Sequence, residues 1–187
     1  MNNIISALYS YGVSFPNEKS ISDKISEWIQ MYWEFAFVKE NLKWHITASM
    51  LITNPSRTRV LLMFHKRFQT WSQFGGHCDG EIDIKNVALR EFHEESWIME
   101  EPDFIGDIFS VQIWDVAERT SSTGMYQPRH QHYDILYLGI IPEDVPFFCQ
   151  EDEVDDIRWF DIEWIEKYIE EKRMIDMIKK IKNYPNA

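Results

Sequence analysis

One helical segment, "IKNVALREFHEES" (84–96), interrupts a region otherwise made of strand-like runs, and this insertion constrains the fold most. Upstream of it, "HITASMLI" and "TRVLLMFHK" are rich in β-branched and apolar residues and are separated by the turn-forming "TNPSR", which predicts a hairpin. Downstream, "DIFSVQIWDV" and "HQHYDILYLGII" read as strands joined by the polar "AERTSSTGMYQPR", and "DIRW" as a short last strand. A loop of that length in a compact domain is more often functional than decorative. Helices flank the region. "SISDKISEWIQMYWEFAFVKEN" places Ile21, Ile25, Trp28, Ile29, Tyr32, Phe35 and Ala36 at helical spacing, with Ser20 and Asp23 suiting a helix start. "DIEWIEKYIEEKRMIDMIKKIK" predicts a closing amphipathic helix with Asp161 as N-cap. This order predicts an α/β (α+β) fold, a mixed β-sheet sandwiched between α-helices. With Trp33 and Phe37 added, the first helix has a wider apolar face than one contact stripe needs, so it either covers a sheet or meets a second subunit, as in a homodimer.

With 187 residues, 44% of them hydrophobic and 15% aromatic, the chain can bury one sizeable core and nothing demands two. The expectation is one domain: an N-terminal helical extension over 1–43, a core over 44–164 and a C-terminal helix over 165–187. A net charge of −12 excludes extended binding to a nucleic-acid polymer, and a small anionic ligand would need local help from a metal. Cys78 and Cys149 form no disulfide framework and lack zinc-ribbon spacing, so each reads as a small buried hydrophobe in a reducing compartment. The N-terminus lacks the charged and apolar regions of a signal peptide, and no segment has the length of a membrane span. A soluble, cytoplasmic protein without a membrane partner is expected.

In the inserted helix, Glu91, Glu94 and Glu95 fall at i, i+3 and i+4 and project from one face, while Ala88, Leu89 and Phe92 form the neighbouring apolar face. Three like charges at that spacing repel, and a hard divalent cation would turn the repulsion into binding. Mg²⁺ takes a few carboxylate oxygens, keeps several waters and completes its shell from substrate phosphates. Arg90 can brace one carboxylate through its guanidinium fork. A solvated helix face is the bland alternative. What favours a site is the preceding "FGGHCDGE", which holds Gly75, Gly76 and Gly80, three of only seven glycines, with Asp79 and Glu81. Glycines permit close backbone approach to a ligand, and a helix N-terminus offers free N–H groups to an anion.

These residues resemble the Nudix box: a glycine, five residues, a glutamate, seven residues, then Arg-Glu-apolar-any-Glu-Glu-any-Gly-apolar. Gly76 fits the opening glycine and "REFHEESWI" the close, with the correct thirteen residues between Gly76 and Arg90. The flanking "ITASMLITNPSRTRVLLMFHKRFQTWSQFGGHCDG" and "HQHYDILYLG" resemble strands of a bacterial Nudix subgroup, so the likeness covers about Trp44 to Trp164. There are two departures. Ile82 stands where the family has its first glutamate, with Glu81 and Asp83 on either side. Trp97 replaces the glycine that ends the helix, and a bulky residue suits a left-handed cap poorly, so the helix is expected to end differently or run on toward Pro102. The resemblance implies a Nudix-like sheet between helices and a divalent-metal-dependent pyrophosphohydrolase cleaving a nucleoside diphosphate linked to another moiety. It further implies Mg²⁺ or Mn²⁺ held by Glu91, Glu94, Glu95 and the Gly76 carbonyl, with Arg90 orienting Glu91. The general base is open among a helix glutamate such as Glu94, Glu81 and Glu153 in "CQEDEVDDIRW". The alternatives are a catalytically weak nucleotide-binding or regulatory module and an isomerase of isoprenoid diphosphates, which would want a catalytic cysteine in a strand-end pocket.

Five further residues are candidate substrate contacts. His130 and His132 share a strand face with Asp134; a zinc or iron site would want that spacing, but a third ligand is not evident in the sequence, so substrate contact or ordinary strand histidines is the favoured reading. His77, in the box loop, suits backbone bonding or ligand contact. His65 and Arg67, with Lys66, end the second hairpin strand and could meet phosphates. Trp71, Phe74, Tyr126 and Tyr133 could stack a base, with core packing as the default.

Overall fold

The computed structural model describes residues 2–120, 124, 126–150 and 152–185. Two helices, α1 (Asn2–Ser14) and α2 (Lys19–Tyr32), and a 3-10 turn (Trp33–Phe37) lead into β1 (Trp44–Thr53), β2 (Arg59–His65), β3 (Thr70–Ser72) and β4 (Phe74–His77). Helix α3 (Ile84–Ser96) follows, then β5 (Asp103–Phe104), β6 (Ser110–Val116), β7 (Arg119–Thr120), β8 (Tyr126–Gln127), β9 (His130–Ile140) and β10 (Val154–Asp161). A 3-10 turn (Ile162–Lys167) and helix α4 (Lys172–Lys180) close the chain, followed by a last 3-10 turn (Ile181–Asn183). The main sheet runs β10-β2-β1-β9-β5, with β3 on β2, β4 on β1 and β6 on β9. It is mixed, because β1 and β9 pair in parallel while their other partners are antiparallel.

All ten residues of β1 are buried, as a strand covered on both faces must be. Ile46, Ala48, Met50 and Ile52 point to one face, where they join Val87, Ala88 and Phe92 of α3 and Leu8, Ile25 and Ile29 of the first two helices. Leu51 points to the other, with Leu62, Leu136 and Leu138, against Met174, Met177 and Ile178 of α4. Each of these side chains larger than alanine contributes about 1.5–3 kcal/mol by leaving water. Alternation also fixes an exception. His45, Thr47 and Ser49 share the α4 face with Leu51 but extend beyond the apolar cluster, and on β9 His130, His132 and Asp134 do the same. No helix among the described residues is long and apolar enough to cross a membrane.

The hairpin and inserted helix stand as expected, and the helical segments differ in detail. Helix α1 was not anticipated; its stripe is half-buried at Ile4, Ile5 and Ala7 and fully buried only at Leu8 and Tyr11. Helix α2 stops at Tyr32 because Trp33 takes φ 37°, and no side chain caps its start. Its stripe covers strands: Trp28 meets Trp44 edge-on at 4.4 Å and Tyr133 at 5.6 Å. The single closing helix is broken. Asp161 does cap, accepting from the Glu163 amide at 2.9 Å, but it opens a 3-10 turn that buries Ile162 and Ile165 together; Glu171 starts α4 afresh by accepting from the Met174 amide at 2.9 Å. The long loop carries the β7–β8 ribbon, and its residues 121–123 and 125 lie outside those described. A half-buried cluster ties the first helices to α4: Lys180 Nζ donates to Glu18 Oε1 at 2.7 Å and to the Tyr11 hydroxyl at 2.8 Å.

Helix α3 ends at Ser96 and does not run toward Pro102. Trp97 adopts the left-handed cap at φ 55° and ψ 17°, its N–H donating to the His93 carbonyl at 2.9 Å. The next residue explains how a non-glycine is tolerated: Ile98 is fully buried and its N–H reaches Ser96 Oγ at 3.2 Å, so contacts beyond the cap offset its strain. Because the Trp97 ring is 62% exposed, Trp97→Gly should raise stability by about 0.5–1 kcal/mol in urea unfolding; a loss would show that the indole contributes packing that this geometry does not reveal.

Candidate functional site

Strand β4 pairs with β1 so that Gly76 stands opposite Ala48 and His77 opposite Thr47. Gly76 therefore faces α3 and His77 faces the α4 side. This single step along the backbone divides two clusters of chemically active side chains.

On the α3 side, Asp83 caps the helix by accepting from the Asn86 amide at 3.2 Å. Ile82 is exposed, and while its acidic neighbour Asp83 serves as the cap, the other, Glu81, accepts from Asn86 Nδ2 at 2.6 Å and lies 3.9 Å from Arg90 Nε. Arg90 donates from one amino nitrogen to Glu91 at 2.7 Å and to Glu94 at 3.4 Å, and from the other to the His77 carbonyl at 3.4 Å. The three glutamates differ sharply in environment. Glu94 is exposed and Glu91 half-buried; Glu95 is buried and accepts from the Gly75 amide at 2.9 Å. Burial pushes the Glu91 carboxyl up, with Arg90 pulling it back and Glu94 adding to the rise. Burial raises Glu95 well above the usual range despite its amide partner, and Glu91 adds to the rise. Gly76 is a close-approach glycine, since a Cβ there would lie 2.6 Å from the Glu91 carboxyl carbon. Gly75, at φ 149°, has no room for one either, because Ser49 Oγ would be 2.6 Å away.

Glu153 reaches this side through α3 itself. The last carbonyls of the helix lack intrahelical partners; Glu95 O accepts from the Gln150 amide at 3.3 Å and Ser96 O from the Phe148 amide at 2.9 Å. That holds the 148–150 segment at the helix end, and the negative charge of Glu153 is felt at Glu91, Glu95 and His65. His65 stands opposite Val154 at the end of β2, and its Nδ1 accepts from the Arg67 amide at 3.2 Å. Arg67 is exposed, with its guanidinium 5.1 Å from the Phe68 ring centre. Of the aromatics considered for base stacking, Phe74 and Tyr133 are core residues, Trp71 packs edge-on against Phe160 at 4.6 Å, and Tyr126 is exposed.

On the α4 side, His77, His130 and His132 are brought together with a residue that the sequence reading did not single out, His45. Ring centroids lie 4.7 Å apart for His45 and His132, 5.1 Å for His45 and His77, and 5.0 Å for His130 and His132. The five expected substrate contacts thus divide, His65 and Arg67 lying apart from the other three. The signal for His45 was its i, i+2, i+4 spacing with Thr47 and Ser49, but only parallel pairing of β1 with β9 sets it opposite His132. Burial, with the neighbouring imidazoles adding to it, lowers His77 to about 4 and His132 to about 2. Below the histidines, Asp134 is fully buried and accepts from Thr47 and Ser49 hydroxyls at 2.8 Å each. Asp134→Ala should therefore cost about 3 kcal/mol in chemical denaturation by leaving two buried hydroxyls unpaired; a loss under about 1 kcal/mol would mean those bonds hold nothing together.

A family model described as "NUDIX domain" matches residues 43–181. No protein of curated function matches the sequence. Among solved structures, the MutT protein of Methanosarcina mazei Go1 is 20% identical with a TM-score of 0.55, covering 75% of this chain and 94% of that one. The Escherichia coli dihydroneopterin triphosphate pyrophosphohydrolase is 15% identical with a TM-score of 0.54, covering 75% and 96%. The Caenorhabditis elegans Ap4A hydrolase is 18% identical with a TM-score of 0.51, covering 74% and 96%. These likenesses are of fold. The family model spans most of the chain and includes the glycine loop, the carboxylate helix and the sheet just described, so the chain belongs to the NUDIX family.

Proposed function

We propose that the protein is a divalent-metal-dependent pyrophosphohydrolase acting on a nucleoside diphosphate linked to another moiety, such as a nucleoside triphosphate or a nucleotide sugar. The observation that carries this reading is the Glu91 carboxylate lying where a side chain at Gly76 would stand, with Arg90 shared between Glu91 and Glu94. Carboxylates and a backbone carbonyl are the donors a hard cation takes, and Gly76, lacking a Cβ, lets the Glu91 carboxylate close in on the strand. Glu91, Glu94, Glu95 and the Gly76 carbonyl would hold Mg²⁺ or Mn²⁺. When bound, such an ion neutralises phosphoryl oxygens and makes water more acidic. Arg90 holds the Glu91 carboxylate in one orientation. Glu95, anchored on the Gly75 amide, keeps the glycine loop against the helix. Glu153 and Glu81 are the candidate bases outside the helix face, and His65 and Arg67, near Glu153, supply positive or hydrogen-bonding groups for phosphate. Glu81 is the neighbour of Ile82 that stands in for the missing family glutamate, since Asp83 is engaged as the helix cap.

Ile82 also motivates a second reading, a nucleotide-binding or regulatory module with weak catalysis. Against the isomerase alternative, Cys78 is buried among core residues and its thiol is held far up by that burial, the opposite of an activated cysteine. The test is phosphate or pyrophosphate release from nucleoside triphosphates, nucleotide sugars, dinucleoside polyphosphates and NADH, with Mg²⁺ or Mn²⁺. Glu94→Gln is expected to lower turnover by about 100-fold or more, and Gly76→Ala similarly, by displacing Glu91. If no substrate is turned over while Mg²⁺ still raises the thermal midpoint of the wild type but not of Glu94→Gln, the regulatory reading replaces the hydrolytic one.

A further inference from the structure

We propose that His45, His77 and His132 form a second metal site, for a borderline transition-metal ion of the Zn²⁺ class, on the opposite face of the sheet from the carboxylate helix. The inference goes beyond the hydrolase reading and does not rest on it.

The three residues each offer a ring nitrogen, and these atoms lie within 4.8 Å of one another. A tetrahedral zinc ion bound at ordinary zinc–imidazole lengths separates its ligand nitrogens by about 3.4 Å, so small side-chain rotations close the set. Three β-strands contribute the ligands: β1 gives His45, β4 His77 and β9 His132, with His45 and His132 opposite each other in the parallel ladder.

The hydrogen bonds around the cluster make it a built site. His45 is 2% exposed and its Nδ1 lies 3.1 Å from the Asn41 carbonyl, to which it must donate. Its Nε2 is then a lone pair, and that atom is buried without any partner. A buried acceptor with nothing to accept from is costly, and a cation satisfies it. Anchoring one imidazole nitrogen on a backbone carbonyl while the other carries the metal is the arrangement that fixes ligand tautomer and ring orientation. His130 serves His132 in the same way. Its Nδ1 donates to the Pro128 carbonyl at 2.8 Å, so its Nε2 accepts from His132 Nε2, 3.1 Å away, which leaves the other nitrogen of His132 as an acceptor. Four of the six histidines are thereby accounted for, three as ligands and one as an orienting neighbour. Imidazole donors without carboxylate select Zn²⁺, and comparably Co²⁺, Ni²⁺ or Cu²⁺, over Mg²⁺. The ion would fasten three strands at the point where β4 turns into the glycine loop.

The experiment is a Co²⁺ titration of the full chain after removal of metals by a chelator. One equivalent should produce the intense visible bands of a four- or five-coordinate ion, displaced by one equivalent of Zn²⁺ and indifferent to excess Mg²⁺. Glu94→Gln should retain the spectrum; His45→Gln and His132→Gln should lose it with unchanged circular dichroism, and His130→Gln should weaken binding by about 10–100-fold. The proposal is overturned by a pale six-coordinate spectrum, by bands that survive both ligand substitutions, or by bands that vanish in Glu94→Gln. Should the histidine variants not fold, X-ray absorption at the zinc edge of the wild type decides: three or more imidazoles sustain the site, and two or fewer reject it.

Discussion

The parallel ladder between β1 and β9 is the constraint on which the rest of the molecule depends. Its ten paired positions, from Trp44 opposite Gln131 to Thr53 opposite Ile140, set which side chains of two central strands share a face. One residue of slip would exchange the faces, carrying Ile46 and Ile135 away from α3 and burying His45 and Asp134 among its apolar residues. The register therefore does more than build a core. It places apolar residues where the carboxylate helix must be anchored and a polar seam where the histidines meet.

Strand β4, hydrogen-bonded to β1, separates two kinds of ligand chemistry by one peptide. Carboxylates gather on one side, imidazoles on the other, and the His77 carbonyl is itself held by Arg90 from the carboxylate side. Carboxylate oxygens favour hard ions and imidazole nitrogens borderline ones, so donor type distinguishes the two clusters even though they share a strand. Any change in the path of β4 would be felt by both.

Much of this was legible in the chain because it was written in local spacing. Glu91, Glu94 and Glu95 on one helix, the glycines before them and the alternation of the long strands are short-range patterns, and they fixed the sheet-and-helix order and the carboxylate face. What the sequence did not disclose depended on distant partners or on competition between small terms. His45 is unremarkable among strand residues until β9 arrives beside it. The cap at Trp97 looked improbable from propensity alone, yet the burial of Ile98 and the His93 and Ser96 bonds outweigh the strain of one left-handed residue. The closing helix carried no glycine or proline to announce its break, which follows from Ile162 and Ile165 being buried together before Glu171 restarts the chain.

The ladder at the centre also has a kinetic consequence. The Thr47–Asp134 contact, like its neighbours in the ladder, joins residues 87 positions apart, so the entropy of closing that loop is met before the central pair returns any stabilisation. Refolding should be slow for a chain of this size, with the β1–β2 hairpin and α3 able to form early and β1 left with an open edge until β9 docks. Stopped-flow refolding in which substitutions at Ile46 and Ile135 leave the folding rate untouched would show that docking follows the rate-limiting step.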